Sequence, residues 1–540
     1  MSVGNARRPE DDVLGHLLPA FGGTEPPSWL LRRVSGGQAH GVTVFLRANA
    51  HDLASLVRLT GQLQGSVSDG LPLLIGADQE GGQLVGLGHD TTRFPGAMAL
   101  GAADDEELSE AVGLATAAEL RALGITVCYA PVCDLALVPG NVSLGTRAFG
   151  SEAAHVARHA AALTRGLLAG GVAATAKHFP GFGAVDVDPH HRLGVVEAAA
   201  DILETRELVP FRAALAAGAP MVMSGHVALP AITGRRDLPA TVSRQVMDGL
   251  LRGELGFRGV SITDAMDMKA VAQGSAGVVD SIVALRASVD LLLLTPDRVA
   301  QRRLETGLRQ AALRGLLSPR QTSASHARIL RLRRWLAAFG QPAPGVVRSE
   351  AHRSLARRVA SAAITLVRDE AGLLPLRPAP GERIVVITPQ PRDLTPADSS
   401  ADEPLALAEA VRRHHAEVVD VRVDAEPGDS QIAAAREAAV GARGVIVATL
   451  AADVQPSQAR LVEAVLSTGT PTVTVAMRTP YDLASYPSAR THLCSYAIVP
   501  ASVGAVADAL FGRQPLGGRL PVAIPGLYPR SHGMEVTRWA

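Results

Sequence analysis

The sequence predicts an α/β protein in which a (β/α)8 TIM-type barrel is followed by a smaller α/β sandwich domain. Three observations lead there. From about Gly41, short runs rich in Val, Ile and Leu alternate with segments of helical period, which is the βα grammar of a parallel sheet. Ionisable residues stand directly after several of those runs, as they do on the C-terminal rim of a barrel enzyme. Near Phe339 the text turns to GQPAPGVVR, a Pro- and Gly-containing stretch that reads as a linker. The expected organisation is a barrel over residues 1–338, a linker over 339–355 and a sandwich domain over 356–540.

Taken in order, residues 42–46 read as the first buried strand, and Asp52 caps a helix whose apolar face carries Leu53, Leu56, Val57 and Leu63. Residues 73–77 and 125–130 are the next strands. Ser151 is the expected cap of a helix bearing Val156, Leu163 and Leu167, which stops at Gly170-Gly171 before a strand at 172–175. Runs at 221–223, 260–263 and 289–294 complete seven strands, each continuous rather than alternating, as strands buried on both faces are. The pattern leaves an eighth strand unplaced. Beyond the linker, a helix starting near Ser349 precedes strands at 384–388, 417–423, 445–448 and 472–476 with helical segments between them.

Composition narrows the function. The 540 residues are 47% hydrophobic and 19% charged, ample for folded cores. Lys plus Arg and Asp plus Glu are both 52, so no net field draws a nucleic acid. The three cysteines, Cys128, Cys133 and Cys494, form an odd set that suits a reducing compartment better than a disulfide framework. The first residues lack the apolar stretch of a signal peptide, and no run approaches the ~20 apolar residues of a membrane span. The expectation is a cytoplasmic chain that engages neither membrane nor nucleic acid.

Three segments carry candidate chemistry. KHFPGFGAVDVDPHHRL begins at a strand end with Lys177 and His178 and runs into a loop with Asp188 and His190. A carboxylate beside an imidazole favours the protonated ring and fixes its tautomer, as a His acid/base requires. By spacing alone the pair serves equally as a metal pair or a loop brace. In GVSITDAMDMKAV, Asp264 follows a buried strand, where it can attack an electrophilic carbon or merely cap a helix together with Asp267. In IGADQEGGQLVG, Asp78 ends a strand before Glu80 and a Gly pair, in position to accept hydrogen bonds from hydroxyls. Neither a phosphate loop nor a dinucleotide fingerprint is present, and no pattern calls for a metal or organic cofactor.

These segments, with APVCDLALVPGNVSLGTRAFG, MVMSGHVALPAI and ALRASVDLLLL, resemble in content and order the family 3 glycoside hydrolases of the β-N-acetylglucosaminidase branch. ITLVRDEAGLLPL and ALFGRQPLGGRLPVAIPGLYP resemble that family's second domain. The resemblance implies that Asp264 is the nucleophile and that Asp188 with His190 is the acid/base dyad. Asp78, Arg147, Lys177 and His178 match positions that hold the sugar, while His226 stays outside the expected set. The chain also departs from the family. Gln83 and Gly86 stand where arginines are usual, Phe182 and Ala184 replace a His and an Asp, and Pro189 replaces a Ser inside the dyad loop.

The implied reaction is retaining hydrolysis of a terminal β-linked N-acetylglucosamine, with a small carbohydrate as substrate and cell-wall fragments as one source. A His acid/base, unlike a carboxylate, does not repel an anionic acceptor, so phosphorolysis with inorganic phosphate is the alternative. A third reading is a muropeptide-binding sensor without turnover. The 3% of aromatic residues argues against long stacking platforms and for a short soluble glycoside. The sequence leaves the oligomeric state open.

Overall fold

A computed structural model describes residues 12–88, 90–185, 191–271 and 274–539. Eight parallel strands build the first half: β1 (Leu17–Pro19), β2 (Gly41–Thr43), β3 (Leu74–Ala77), β4 (Val127–Cys128), β5 (Ala173–Phe179), β6 (Met221–Ser224), β7 (Val260–Thr263) and β8 (Leu292–Leu294). Strands β2 to β7 form one curled sheet in the order β7-β6-β5-β4-β3-β2. A parallel bridge between Ile262 and Leu291 carries the sheet on to β8, which pairs with β1. Among the described residues no ladder joins β1 to β2, and this is the seam of the barrel. Every residue of β5, β6 and β7 is buried, which explains their unbroken apolar text.

The eighth strand is β1, three residues in HLLPA upstream of Gly41, too short to show a period of its own. Local signals fix several helix boundaries. Asp52 accepts from the Ser55 N–H at 2.7 Å, with Ser55 reciprocating in a capping box, at the start of helix Leu53–Gly65. The helix Ala153–Ala169 is capped one residue later than expected, by Glu152 rather than Ser151, and gives way at Gly170-Gly171. Neither Asp264 nor Asp267 caps a helix, because the next one, Ser275–Arg286, starts at Gly274.

Helix Pro319–Leu336 ends the barrel half, and Ser349 caps helix Glu350–Ala363 by accepting from the His352 N–H. The second half is a six-stranded sheet of β9 (Thr365–Asp369), β10 (Ile384–Pro389), β11 (Val418–Val423), β12 (Gly444–Thr449), β13 (Thr472–Ala476) and β14 (Thr491–Cys494). Its order is β9-β14-β13-β12-β10-β11, and only β9 with β14 is antiparallel. Those two strands are additions to the sequence expectation. The halves meet through backbone bonds from Arg519 to Ala102 and from Ser151 to Pro521, and through the buried Glu119 carboxylate, which binds His352 at 2.7 Å. No described helix is long and apolar enough to cross a membrane.

Candidate active site

The C-terminal ends of β3, β5 and β7 open into a cavity of about 870 Å³. Asp78, Arg147, Lys177, His178 and Asp264, expected from the sequence, all line it. Asp188 and His190 lie outside the described residues, while His191, next in the chain, is on the cavity wall.

The register of β5 against β6 shifts between Ala176 and Phe179, which breaks the strict alternation of a strand, and Lys177 and His178 both line the cavity. Lys177 Nζ lies 2.7 Å from Asp78 Oδ1 and 2.6 Å from Glu80 Oε1. Glu80 also receives two bonds from Arg147, 2.8 Å from Nε and 2.9 Å from Nη2. Two acids and two bases are therefore locked together with their side chains largely buried, and each charge has a fixed partner of opposite sign. Burial opposes ionisation of Glu80, but Arg147 and Lys177 prevail and hold its carboxyl at about 2. The same acids hold Lys177 above its usual range against desolvation.

His178 is oriented from behind. Its Nδ1–H donates to Asp134 Oδ2 at 2.7 Å, and Asp134 also accepts from the backbone N–H of His178 and Phe182. Phe182 packs edge-on against the imidazole with ring centres 5.0 Å apart. An aromatic ring is what the chain offers here in place of the family's usual His.

Asp264 follows the last residue of β7, and its backbone N–H donates to the Ser224 carbonyl of β6. Its Oδ1 accepts from the Ala265 N–H at 2.8 Å. Burial disfavours its charge, yet His178, His226, the Ala265 N–H and Lys177 outweigh this and keep the carboxyl below its ordinary range. His226 is tethered between Thr241 Oγ1 at 2.8 Å and the Ala265 carbonyl at 3.1 Å, to which Nε2–H donates. An ionised, immobilised carboxylate facing open cavity is suited to attack on an electrophilic carbon.

The two positions where arginines are usual have structural uses here. Gln83 accepts from the Thr146 N–H at 3.1 Å and donates to the Val142 carbonyl, holding the loop that carries Arg147. The Gly86 N–H donates to the Asp78 carbonyl at 2.7 Å, and a β-carbon at this glycine would sit 2.5 Å from that same oxygen. With this backbone no side chain fits at position 86.

Sequence reasoning assigned no role to several residues of the cavity wall or directly behind it. Glu80 was visible two residues after Asp78, on the same side of an extended chain. Asp134 and His226 each end a predicted strand, the signal that marked the others. Pro396, Ala397, Asp398, Ser399 and Asp402, from the second half of the chain, also line the cavity, and no motif announced them. Ser399 is stitched to the barrel by its N–H to Gln83 O at 2.9 Å and by its Oγ, which accepts from the Val85 N–H at 3.0 Å.

Residues 31–332 match the N-terminal domain of glycosyl hydrolase family 3, and residues 364–531 match the C-terminal domain of that family. The chain belongs to glycosyl hydrolase family 3 and is a glycoside hydrolase. It is similar to the β-N-acetylglucosaminidase/β-glucosidase of Cellulomonas fimi, at 31% identity over 95% of this chain and 93% of that protein. The β-hexosaminidase A of Pseudoalteromonas piscicida is 32% identical over 69% of this chain and 66% of that protein. Among solved structures, a family 3 β-N-acetylglucosaminidase from Paenibacillus sp. str. FPU-7 superposes with a TM-score of 0.88 at 32% identity, covering 96% of this chain and 99% of that one.

Proposed function

We propose that the chain is a retaining, exo-acting β-N-acetylglucosaminidase that removes terminal β-linked N-acetylglucosamine from short soluble glycosides, peptidoglycan fragments among them. The observation that carries this reading is Asp264, held ionised at the end of β7 in a cavity whose opposite polar groups, Asp78, Arg147, Lys177 and His178, are fixed to one another. The names of the relatives support the N-acetylated sugar. Among the described residues the cavity is lined by two phenyl rings, Phe45 and Phe182, and by no Tyr or Trp, which supports a short substrate over a polymer.

In this mechanism Asp264 attacks the anomeric carbon while His190, oriented by Asp188, gives its proton to the leaving oxygen, which departs as an alcohol. The neutral His190 then takes a proton from water, whose oxygen displaces Asp264 and restores the β configuration. Asp78, Arg147, Lys177 and His178 bind the sugar hydroxyls and N-acetyl-bearing ring.

The test is the initial rate of p-nitrophenol release from the β-N-acetylglucosaminide, with the β-glucoside as control and with or without phosphate. Phosphate-independent release from the N-acetyl sugar, reduced at least ~10³-fold by Asp264→Asn, is the expected result. His190→Ala should cost more on poor leaving groups than on good ones. Phosphate-dependent release with a sugar phosphate as product would replace hydrolysis by phosphorolysis, and wild-type release from neither sugar would sink the catalytic reading.

A further inference from the structure

Away from the cavity, three metal-ligating side chains converge on the first turns of helix Ala153–Ala169. His155 and His159 are four residues apart, so both leave the same face of the helix. Asp104, which ends helix Ala97–Ala103, comes up to meet them. Its Oδ1 lies 3.3 Å from His155 Nδ1 and 3.6 Å from His159 Nε2, and one donor atom from each of the three lies within 4.8 Å of the others. Zinc bonds of about 2.0–2.2 Å in tetrahedral geometry place donor atoms roughly 3.4 Å apart. The two edges through Asp104 already have that spacing, and the His–His edge reaches it by small side-chain rotations.

The second observation is independent of the spacing. His159 is fully buried, and its Nε2 makes no hydrogen bond. The other ring nitrogen, Nδ1, meets Ser109 Oγ at 2.8 Å. With Nδ1–H donating to Ser109, the Nε2 lone pair is left facing Asp104, the outer-sphere arrangement that prepares an imidazole as a ligand. Phe149 stacks on the ring with centres 5.4 Å apart and limits its rotation. Asp104 is half-exposed and leaves an approach from solvent.

We propose that Asp104, His155 and His159 form a binding site for a divalent transition-metal ion of zinc type, with water completing a tetrahedral set. The ion would act structurally, pinning the start of helix Ala153–Ala169 to the Asp104 turn. Both elements adjoin the seam between the halves, where Ser151 and Ala102 bond to Pro521 and Arg519. A resident cation competes for the site. Arg158 Nη2 lies 2.8 Å from Asp104 Oδ1 and 3.4 Å from His155 Nδ1, while Nη1 lies 2.8 Å from Glu106. Arg158 is itself well exposed, so it is free to retreat to Glu106 when a metal takes Asp104.

The test is equilibrium dialysis of the chelator-treated full chain against Zn²⁺, with the visible absorption of the Co²⁺ form as a geometric probe. One equivalent is expected per chain, with the intense bands of tetrahedral Co²⁺. Asp104→Asn and His159→Gln should each weaken binding ~10-fold or more, and Arg158→Gln should strengthen it several-fold. Asp104 has φ 48°, a conformation that Asn tolerates, so Asp104→Asn keeps the turn even where His159→Gln fails to fold. Hydrolytic turnover should be unchanged in Asp104→Asn. Equal affinity in wild type, Asp104→Asn and Arg158→Gln would overturn the proposal, as would the absence of any equivalent bound by Arg158→Gln at ~100 μM Zn²⁺.

Discussion

At the inner end of the cavity, the Glu80 carboxylate is 4% exposed and shared between Arg147 and Lys177, whereas at the mouth Arg47 reaches Asp393 and Asp402 with 57% of its side chain in solvent. Both are ion-pair networks, but the medium around them differs. In a dry site, removing one partner strands the other charge and costs about 3–5 kcal/mol, while an exposed pair contributes only ~0–1 kcal/mol. The inner network belongs wholly to the barrel, and the outer one joins the barrel to the second half of the chain. The inner network is thus held rigidly, whereas the exposed Arg47 pairs at the mouth are weak enough to vary, although Ser399 of the same wall is fixed to the barrel by buried bonds.

The sharpest way to break this comparison is Glu80→Gln. It leaves Arg147 without its bidentate carboxylate and Lys177 with Asp78 alone. The expected loss is about 3–5 kcal/mol of stability in a denaturant titration, and kcat/KM should fall ~10²–10³-fold because the groups proposed to bind the sugar lose their fixed positions. A loss as small as that at the mouth would show that burial is not what distinguishes the two networks.

Acid titration sharpens the same point. Glu80 is held at about 2, below its ordinary 4.5, so its ionic stabilisation is complete above pH 4.5 and disappears as the pH falls from there to about 2. The amount is of order 3 kcal/mol. Wild type should therefore lose stability more steeply than Glu80→Gln between pH 4.5 and 3, and parallel curves would refute the assignment. His159 and His492 add a separate slope. Burial keeps them neutral down to about 4 and about 3, so the unfolded chain takes up their protons first and stability falls as the pH drops below 6.5.

Gly86→Ala probes the inner end without touching a charge. The added β-carbon would sit 2.5 Å from the Asp78 carbonyl oxygen, so that carbonyl must shift aside, and the Asp78 side chain shifts with that peptide. An approximately 10-fold fall in kcat/KM is expected, with stability lowered by ~1–3 kcal/mol, typical of overpacking. Unchanged kinetics would mean that the Asp78 side chain is not held by its own backbone.

How much of this was legible follows from the same contrast. Asp78, Lys177, His178 and Asp264 announce themselves because each interrupts or ends an apolar run, and β2 to β8 were readable because a buried parallel strand is continuous text. Strand β1 escaped because three residues carry no period, and β9 and β14 escaped because Arg368, His492 and Thr491 give their text the polarity of loops. His492 is nevertheless buried, its Nδ1 bonded to Thr474. Glu80 looked like an ordinary acid, since its burial depends on Arg147, 67 positions away. The Pro396–Asp402 wall was invisible for the same reason at longer range, because Ser399 meets Gln83 across 316 positions. Asp188 and His190 stand on the motif alone.

The mildest change is Arg47→Ala. Its guanidinium bonds Asp402 from Nε at 2.8 Å and reaches Asp393 at 3.4 Å, so it spans from the short helix Leu46–Asn49 after β2 to two acids of the second half. Solvent already screens all three groups, so denaturant stability should change by less than ~1 kcal/mol. The effect belongs instead in substrate size. For p-nitrophenyl glycosides, whose leaving group is small, kcat and KM should stay within about two-fold of wild type. For disaccharides, whose second sugar would under the proposed reading reach the cavity wall carrying Arg47 and Asp402, KM should rise a few-fold while kcat holds, because binding energy outside the reacting ring is lost equally from ground and transition states. Added salt should reproduce part of that rise in wild type and none of it in the variant. If kcat fell instead, the Arg47 contacts would be organising the reacting groups, and the division between a rigid buried network and adjustable exposed pairs at the mouth would have to be abandoned.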